Sequence, residues 1–320
     1  MFFKDLKGQD QAVDTLKSYI RQGHLSGGFI FSGPEGVGKK MAALASAMRL
    51  NCVETSADEP CGHCASCLKI GNLTHPDLHL IGNQDGEIKI EDVRSLQRQI
   101  SFRPYEGLMQ VFIIDNSHRL NPESSNALLK VLEEPPKHNL IILVTSKPRV
   151  LFNTISSRCK VVRFYALPRH DLERILSDDY SCDPQSAHFL AYFAEGSLGE
   201  ALKFSQEQVM QRKNSLLDDF VFSAKPGLGF SGIQSKEEMR FSLNLLATAF
   251  RDIYLVKVGA LPEEMINLDR KEELFKVADR LSFTRIDGIL GCISESIEYL
   301  ESNINIRLLL NNLGAQLWQT

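Results

Sequence analysis

The sequence contains no apolar run that approaches the ~20 residues of a membrane-spanning helix. Its first seven residues, Met1 to Lys7, carry charges where a signal peptide needs an apolar core. Strong positive charge is also absent, since 36 Lys and Arg stand against 40 Asp and Glu, for a net charge of −4. That balance argues against a basic protein that binds nucleic acid on its own. We therefore expect a cytoplasmic protein whose seven cysteines are reduced.

Four of those cysteines form a C-x8-C-x2-C-x2-C array, made of Cys52, Cys61, Cys64 and Cys67. Four thiolates this close in sequence suit a tetrahedral Zn²⁺ site with no open coordination position. An iron–sulfur cluster takes the same ligands, and a set of inert buried cysteines is a further alternative. Nothing else in the sequence indicates redox chemistry, so we predict one structural zinc ion. We expect His63, inside the array, to be a solvent-facing loop residue.

Residues 29–40 combine an apolar run, a glycine-rich turn and the beginning of a helical pattern. This order predicts a strand, a phosphate loop and a helix. Gly33, Gly36 and Gly38 let the backbone curl so that successive N–H groups point at one phosphate, with the helix N-terminus behind them. Lys39 would then reach the terminal phosphates of a nucleotide. The alternative is an ordinary glycine-rich turn between a strand and a helix.

Two groups that such a nucleotide site requires are missing. The residue after Lys39 should carry a hydroxyl that ligates Mg²⁺, but Lys40 stands there, and an ammonium repels a cation. Asp115 ends a buried apolar run, where a Mg²⁺-associated acid belongs, although it could instead cap a turn. The next residue should be an acid that activates the attacking water. It is Asn116, which cannot accept a proton.

The order of elements predicts an α/β half followed by an all-α half. Five strands alternate with helical patterns, which is typical of a parallel sheet. From Leu167 onward the strand signals stop, and the amphipathic patterns continue to a leucine-rich stripe over 306–317. A loop at 225–229 interrupts the later helices. The strands are predicted at residues 29–32, 78–81, 111–115, 140–144 and 161–164.

Together these features resemble the AAA+ clamp-loader subunits of bacterial DNA polymerase III. The resemblance implies a nucleotide-binding domain over 1–165 with a zinc module inserted at 52–67. It also implies a small helical lid over 166–207 and a helical collar over 208–320. The residues that carry the resemblance are 33–39, the four cysteines, 113–115, 126–136 and 157–159.

Two kinds of subunit share this architecture, the ATP-hydrolysing gamma/tau motors and a comparatively rigid stator. Gly199 stands where the lid arginine of a motor should sense the γ-phosphate. With Lys40 and Asn116, this removes metal binding, water activation and charge stabilisation. The resemblance therefore implies a stator without intrinsic ATPase activity, which binds ATP or ADP weakly or not at all. The alternatives are an active motor and a stand-alone zinc-module protein that binds nucleic acid, which the negative charge disfavours.

The Ser-Arg-Cys motif of this family lies at a subunit boundary, so the resemblance implies that Arg158 is an arginine finger in a neighbour's ATP site. The alternative is a surface arginine paired with a local acid. Cys159 is expected to be buried packing, and Asn303, Asn305 and Arg307 resemble the collar of the stator. The implied partners are gamma/tau and delta subunits in a hetero-oligomer. Through this assembly the chain would act on the sliding clamp and primer–template DNA, as part of a DNA-directed DNA polymerase holoenzyme.

Overall fold

The computed structural model describes residues 1–54, 58–82, 86–151, 153–222 and 235–301. The chain divides into two compact units. The first contains Met1–Leu167 and Gly196–Glu200, and the second contains Pro168–Glu195 and the described residues from Ala201 onward. The finer division into a lid and a collar stays a prediction.

Some of the features singled out in the sequence lie outside the described residues. These are the loop at 225–229, the leucine-rich stripe at 306–317, and the polar residues Asn303, Asn305 and Arg307 that precede the stripe.

The first unit is built on a five-stranded parallel sheet with the spatial order β2-β3-β4-β1-β5. Strand β1 (Gly27–Ser32) lies between β4 (Asn139–Thr145) and β5 (Lys160–Arg163). Strand β3 (Gln110–Ile114) joins β4 to the edge strand β2 (Leu78–Ile81). The predicted parallel sheet is confirmed. Strands β3 and β4 are buried along their whole length, which explains the unbroken apolar runs at residues 111–114 and 140–144.

Helices cover both faces of this sheet. Alternate strand residues enter two separate hydrophobic cores, so that Phe29 and Phe31 face one core while Ile30 faces the other. The start of one helix is fixed by Asn121, whose side chain accepts a hydrogen bond from Ser124 N at 2.8 Å. The helices of this unit are α1 (Asp10–Arg21), α2 (Lys39–Leu50), α3 (Ala65–Gly71), α4 (Ile90–Gln99), α5 (Pro122–Glu133) and α6 (Asn153–Ser156).

Helices are the only regular secondary structure among the described residues of the second unit, as the sequence predicts. Helix α9 opens in the first unit, and its remaining residues belong to the second. A π-helical turn, Asp218–Phe222, follows α10 directly. The helices are α7 (Arg169–Tyr180), α8 (Pro184–Phe193), α9 (Leu198–Gln206), α10 (Val209–Leu217), α11 (Lys236–Lys257), α12 (Lys271–Arg280) and α13 (Phe283–Glu301).

Buried charges in this unit are held by specific partners. Lys213 is fully buried, and its Nζ lies 2.5 Å from Asp269 Oδ1. The buried carboxylate of Asp252 accepts hydrogen bonds from the backbone of Ile266 at 2.9 Å and of Asn267 at 2.7 Å. Since an unpaired buried charge is strongly destabilising, these contacts fix how α10 and α11 pack on the segment that precedes α12. No helix among the described residues is long and apolar enough to cross a membrane.

Candidate functional site

The four cysteines of the array come together in the first unit. Their sulfur atoms all lie within 4.8 Å of one another, and Cys61 Sγ is 3.9 Å from Cys67 Sγ. Four thiolates around one Zn²⁺, each at ≈ 2.3 Å from the metal in a tetrahedron, lie ~3.8 Å apart. The donor set and its spacing therefore fit a zinc ion with no position left for a substrate.

Backbone amides point at the sulfur atoms of Cys52, Cys61 and Cys64. Cys61 N lies 3.4 Å from Cys52 Sγ, and Cys64 N lies 3.3 Å from Cys61 Sγ. Burial raises the pKa of the Cys52 and Cys67 thiols. At Cys64, burial is outweighed by the backbone N–H groups of Val53 and Cys67, which lower the pKa to about 6. A cation bound between the sulfurs would offset the cost of burying several thiolates.

A short helix that the sequence did not predict shapes this cluster. Cys64 is the N-cap residue of α3, and its sulfur accepts a hydrogen bond from Cys67 N at 3.4 Å. Cys67 and Ile70 then enter the hydrophobic core that contains Phe29. The side chain of His63 is 73% exposed to solvent, as predicted, and its Nε2 lies 3.0 Å from Glu54 Oε1. One of its ring nitrogens also lies within 4.8 Å of Cys61 Sγ. The array is thus a folded module packed on the sheet domain.

At the phosphate loop, Lys39 is bound by its own loop. Its Nζ donates a hydrogen bond to Gly33 O at 2.7 Å and another to Pro34 O. The residue is only 6% exposed, and burial lowers the pKa of its ammonium to about 8. The ammonium that would bind the terminal phosphates of a nucleotide is therefore hydrogen-bonded to carbonyl oxygens of its own loop.

The acid expected beside Mg²⁺ is also engaged. Lys40 Nζ lies 3.0 Å from Asp115 Oδ2, and Asp115 Oδ1 accepts a hydrogen bond from Asn116 N at 3.0 Å. The side chain of Lys40 is 51% exposed and that of Asp115 is 27% exposed. A pair this exposed is worth only ≈ 0–1 kcal/mol. Its importance is positional, because an ammonium lies against the carboxylate that would otherwise face a metal ion.

The segment Gly196–Glu200 packs directly on the phosphate loop, within the same unit. Gly199 N donates a hydrogen bond to Gly36 O at 2.9 Å. A Cβ atom on Gly199 would lie 2.6 Å from Gly36 O, and one on Gly36 would lie 2.2 Å from Ser197 Oγ. The position where the resemblance expects a phosphate-sensing arginine therefore has no room for a side chain unless the backbone moves. The sequence showed the missing arginine but gave no sign of this contact.

Arg158 lies at the opposite end of the sheet from the phosphate loop. Its carbonyl oxygen is 3.5 Å from the Cβ position of Gly28, near the beginning of β1. The phosphate loop follows the end of that strand, about 16 Å further along at ~3.3 Å per residue. The Arg158 guanidinium is 2.9 Å from Glu133 Oε1 and donates to Thr154 O at 2.9 Å. The sequence left open whether Arg158 pairs with a local acid, and the structure shows that it pairs with Glu133.

Cys159, the next residue, packs beside the second hydrophobic core that contains Ile30. Burial raises the pKa of its thiol to about 12. A thiol with that pKa stays protonated at neutral pH, which agrees with a packing role and not with a nucleophile.

Comparison with known proteins gives two family matches. A family described as "DNA polymerase III, delta subunit" matches residues 8–168, and one described as "DNA polymerase III, delta subunit, C terminal" matches residues 200–317. The chain is 28% identical to DNA polymerase III subunit delta' of Bacillus subtilis, an alignment that covers 97% of this chain and 96% of that protein.

Two further similarities are to a tau subunit and to a solved structure. The chain is 37% identical to DNA polymerase III subunit tau of Escherichia coli over 212 residues, which are 65% of this chain and 33% of tau. A solved structure of a DNA polymerase III gamma subunit-related protein from Thermotoga maritima aligns with a TM-score of 0.42 at 19% identity, covering 96% of this chain and 98% of that one. On the family matches, which reach from residue 8 to residue 317, the chain belongs to the DNA polymerase III delta-subunit family.

Proposed function

We propose that this DNA polymerase III subunit is a delta-prime-like stator of the clamp loader. In this role it helps to load the sliding clamp onto primed DNA and supplies Arg158 to the ATP site of a neighbouring gamma/tau-type motor. The similarity to a delta' subunit along nearly the whole chain supports the assignment. Gamma/tau and delta subunits would be its direct partners, with the clamp and primer–template DNA reached through the assembly.

The observation that carries this proposal is the state of the phosphate loop. Lys39 binds the carbonyl oxygens of its own loop, Lys40 lies against Asp115, and Gly199 covers Gly36. Hydrolysis needs a bound metal, an activated water and stabilised charge on the transferring phosphoryl group. The groups that would meet these needs are either missing from the sequence or bound to other groups of the same chain. The chain therefore binds ATP or ADP weakly or not at all, and an active motor is the less supported alternative.

The cysteine cluster has a structural role in this proposal. Cys52, Cys61, Cys64 and Cys67 would hold one Zn²⁺ and leave no ligand position open, so the metal would take no part in chemistry. It would instead tie the end of α2 to α3, in a module whose polar loop has little core of its own.

Arg158 suits action on another chain. It lies at the end of the sheet away from its own phosphate loop, and its side chain is 36% exposed. Its partner Glu133 is 53% exposed, and an ion pair of this kind is worth ≈ 0–1 kcal/mol. A phosphate oxygen of a neighbour's nucleotide can therefore replace Glu133 at small cost. The planar guanidinium would then bind two phosphate oxygens at once.

Reconstitution with purified gamma/tau and delta subunits tests the proposal. We expect Arg158→Ala to assemble normally on gel filtration, because this exposed side chain is not part of a hydrophobic core. Its complex should lose ATP hydrolysis at the one site that faces this subunit, by ~10³-fold or more in single-turnover measurements with clamp and primed DNA. Arg158→Lys should rescue poorly, since an ammonium lacks the planar fork.

Two matched variants serve as controls. Glu133→Gln frees the arginine without removing it and should keep the full rate of the assembly. Lys39→Ala alters only the engaged phosphate loop and should also leave clamp loading nearly unchanged. A wild-type rate of hydrolysis by the Arg158→Ala complex would refute the role of Arg158 as an arginine finger. ATP turnover by the isolated chain that disappears in Lys39→Ala would refute the assignment as a stator.

A further inference from the structure

The loop over residues 101–109, between α4 and β3, exposes three large apolar side chains. Phe102 is 71% exposed, Tyr105 is 85% exposed and Leu108 is 64% exposed. Single exposed apolar residues are common on soluble proteins, but a cluster on one short loop marks an interaction site. We call residues 101–109 the apolar loop.

A buried carboxylate holds this loop in place. Asp77 is 1% exposed and accepts hydrogen bonds from three consecutive backbone N–H groups, those of Tyr105 at 2.6 Å, Glu106 at 3.0 Å and Gly107 at 2.7 Å. Burial alone would raise the pKa of Asp77, but these three bonds outweigh it and lower the pKa. The carboxylate therefore stays charged and fixes the middle of the apolar loop.

A buried amide holds the end of the loop. Asn51 Oδ1 accepts hydrogen bonds from Leu108 N at 2.8 Å and Met109 N at 2.9 Å, and its Nδ2 donates to Met109 O at 3.1 Å. Gly107 is needed beside it, because a Cβ atom there would lie 2.5 Å from Asn51 Oδ1. The loop is thus ordered before any partner arrives, so a partner would not have to supply the free energy of ordering it.

The apolar loop forms one wall of a cleft of about 1030 Å³. The other walls come from the residues that precede β1 and β4 and from the ends of α1 and α2. The cleft therefore lies at the amino ends of the strands, and the phosphate loop lies at the opposite, carboxyl ends. Its apolar lining includes Leu25, Leu50, Met109 and Pro136. A cleft of this size accommodates several side chains.

The cleft is positively charged within a chain of net charge −4. The cations Arg103 and Lys137 line it, and its lining includes no Asp or Glu. Neither Arg103 nor Lys137 forms an ion pair within the described part of the chain. Unpaired cations around an apolar cleft favour a partner that brings both acidic and apolar side chains.

We propose that the apolar loop and its cleft form a docking surface for an acidic peptide segment of a partner protein. Leucine and phenylalanine side chains of that segment enter the cleft, and its carboxylates meet Arg103 and Lys137. Phe102 and His138 carry the only aromatic rings in the described lining of the cleft, which favours this occupant over single-stranded nucleic acid, whose bases stack on successive aromatic faces. The surface lies away from the phosphate loop and does not depend on the proposed stator role.

Fluorescence anisotropy with a labelled synthetic peptide, in which Asp and Glu alternate with Leu and Phe, tests the proposal on the full chain. The unmodified chain should bind the peptide with an affinity that falls as salt is added. Arg103→Glu with Lys137→Glu should weaken binding at least tenfold. Phe102→Ser with Leu108→Ser should do the same. Both pairs alter exposed side chains, so the circular dichroism spectrum should not change.

Matched substitutions elsewhere on the first unit should have little effect on peptide binding. Arg149→Glu and Val150→Ser also change exposed residues, outside the cleft. A peptide with Lys in place of Asp and Glu, and an oligo(dT) strand, should bind at least tenfold more weakly than the acidic peptide. The proposal is overturned if the unmodified chain does not bind the acidic peptide or if the paired substitutions leave its affinity unchanged. Equal or tighter binding of oligo(dT) would assign the surface to nucleic acid instead.

Discussion

Helix α2 carries a different kind of site at each of its two ends. Beyond its C-terminus, Cys52 joins three other free thiols whose sulfur atoms lie within 4.8 Å of one another. At its N-terminus, Lys39 and Lys40 bind groups of the chain itself. Both sites match a ligand-binding motif in sequence, but only the cysteine cluster keeps its ligands facing one another. A motif can thus persist after its groups have found partners within the protein.

The largest effect that separates these sites is expected from removing one cysteine. Cys67→Ser should reduce the zinc content from about one equivalent to well below half, because the cluster loses a buried ligand. The free energy of unfolding should fall by several kcal/mol, as expected when a structural metal is lost. Elemental analysis and urea unfolding measure the two changes.

Cys182→Ser is the matched control, since this cysteine is partly buried and lies outside the cluster. It should keep its zinc and nearly all its stability. If protein purified without chelator holds less than half an equivalent of zinc before any substitution, the contrast between the two ends of α2 is wrong.

A smaller effect is expected at the contact that covers the phosphate loop. Gly199→Ala places a Cβ atom 2.6 Å from Gly36 O, so the backbone of one segment must shift. We expect a loss of about 1–3 kcal/mol in the free energy of unfolding, measured by urea titration. Gly288→Ala in α13 is the control, because no atom lies within 4 Å of its Cβ position. Alanine there should stabilise the helix by up to about 1 kcal/mol. Equal stability of both variants would show that the phosphate loop is not covered as described.

The effect that is smallest at each step of its measurement is the pH dependence of stability at Lys39. Its pKa is lowered from 10.5 to about 8 in the folded chain, mainly by burial. Between those two pH values the unfolded chain binds more protons than the folded one, so this group makes stability rise with pH. The contribution is at most about 1.36 kcal/mol per pH unit for one proton. Urea unfolding between pH 7.5 and 10 should show a shallower rise for Lys39→Met than for the unmodified chain. Parallel curves would mean that Lys39 is not buried with a lowered pKa.

Local patterns in the sequence determined much of this protein by themselves. Each strand was predicted to within two residues. The signal was clearest for strands covered on both faces, which are apolar along nearly their whole length, as β3 is over residues 111–114. The start of α5 is also set locally, since Asn121 caps the helix and Pro122 is its first residue. The cysteine spacing predicted the cluster for the same reason. Helix α3 was missed, because a helix of seven residues inside a loop gives too short a periodic pattern.

Only the tertiary structure decided which groups of the chain the phosphate loop and the apolar loop bind. The sequence showed that Gly199 is not an arginine, but the fold placed its N–H on Gly36 O. Likewise, Asn51 reaches Met109 across 58 residues of chain, which no local pattern records. Such hydrogen bonds exist only after parallel strands have paired and their crossovers have brought distant loops to one edge of the sheet. A short segment of sequence shows which residue types are present for such contacts. The packing of the whole unit decides which of these residues come into contact.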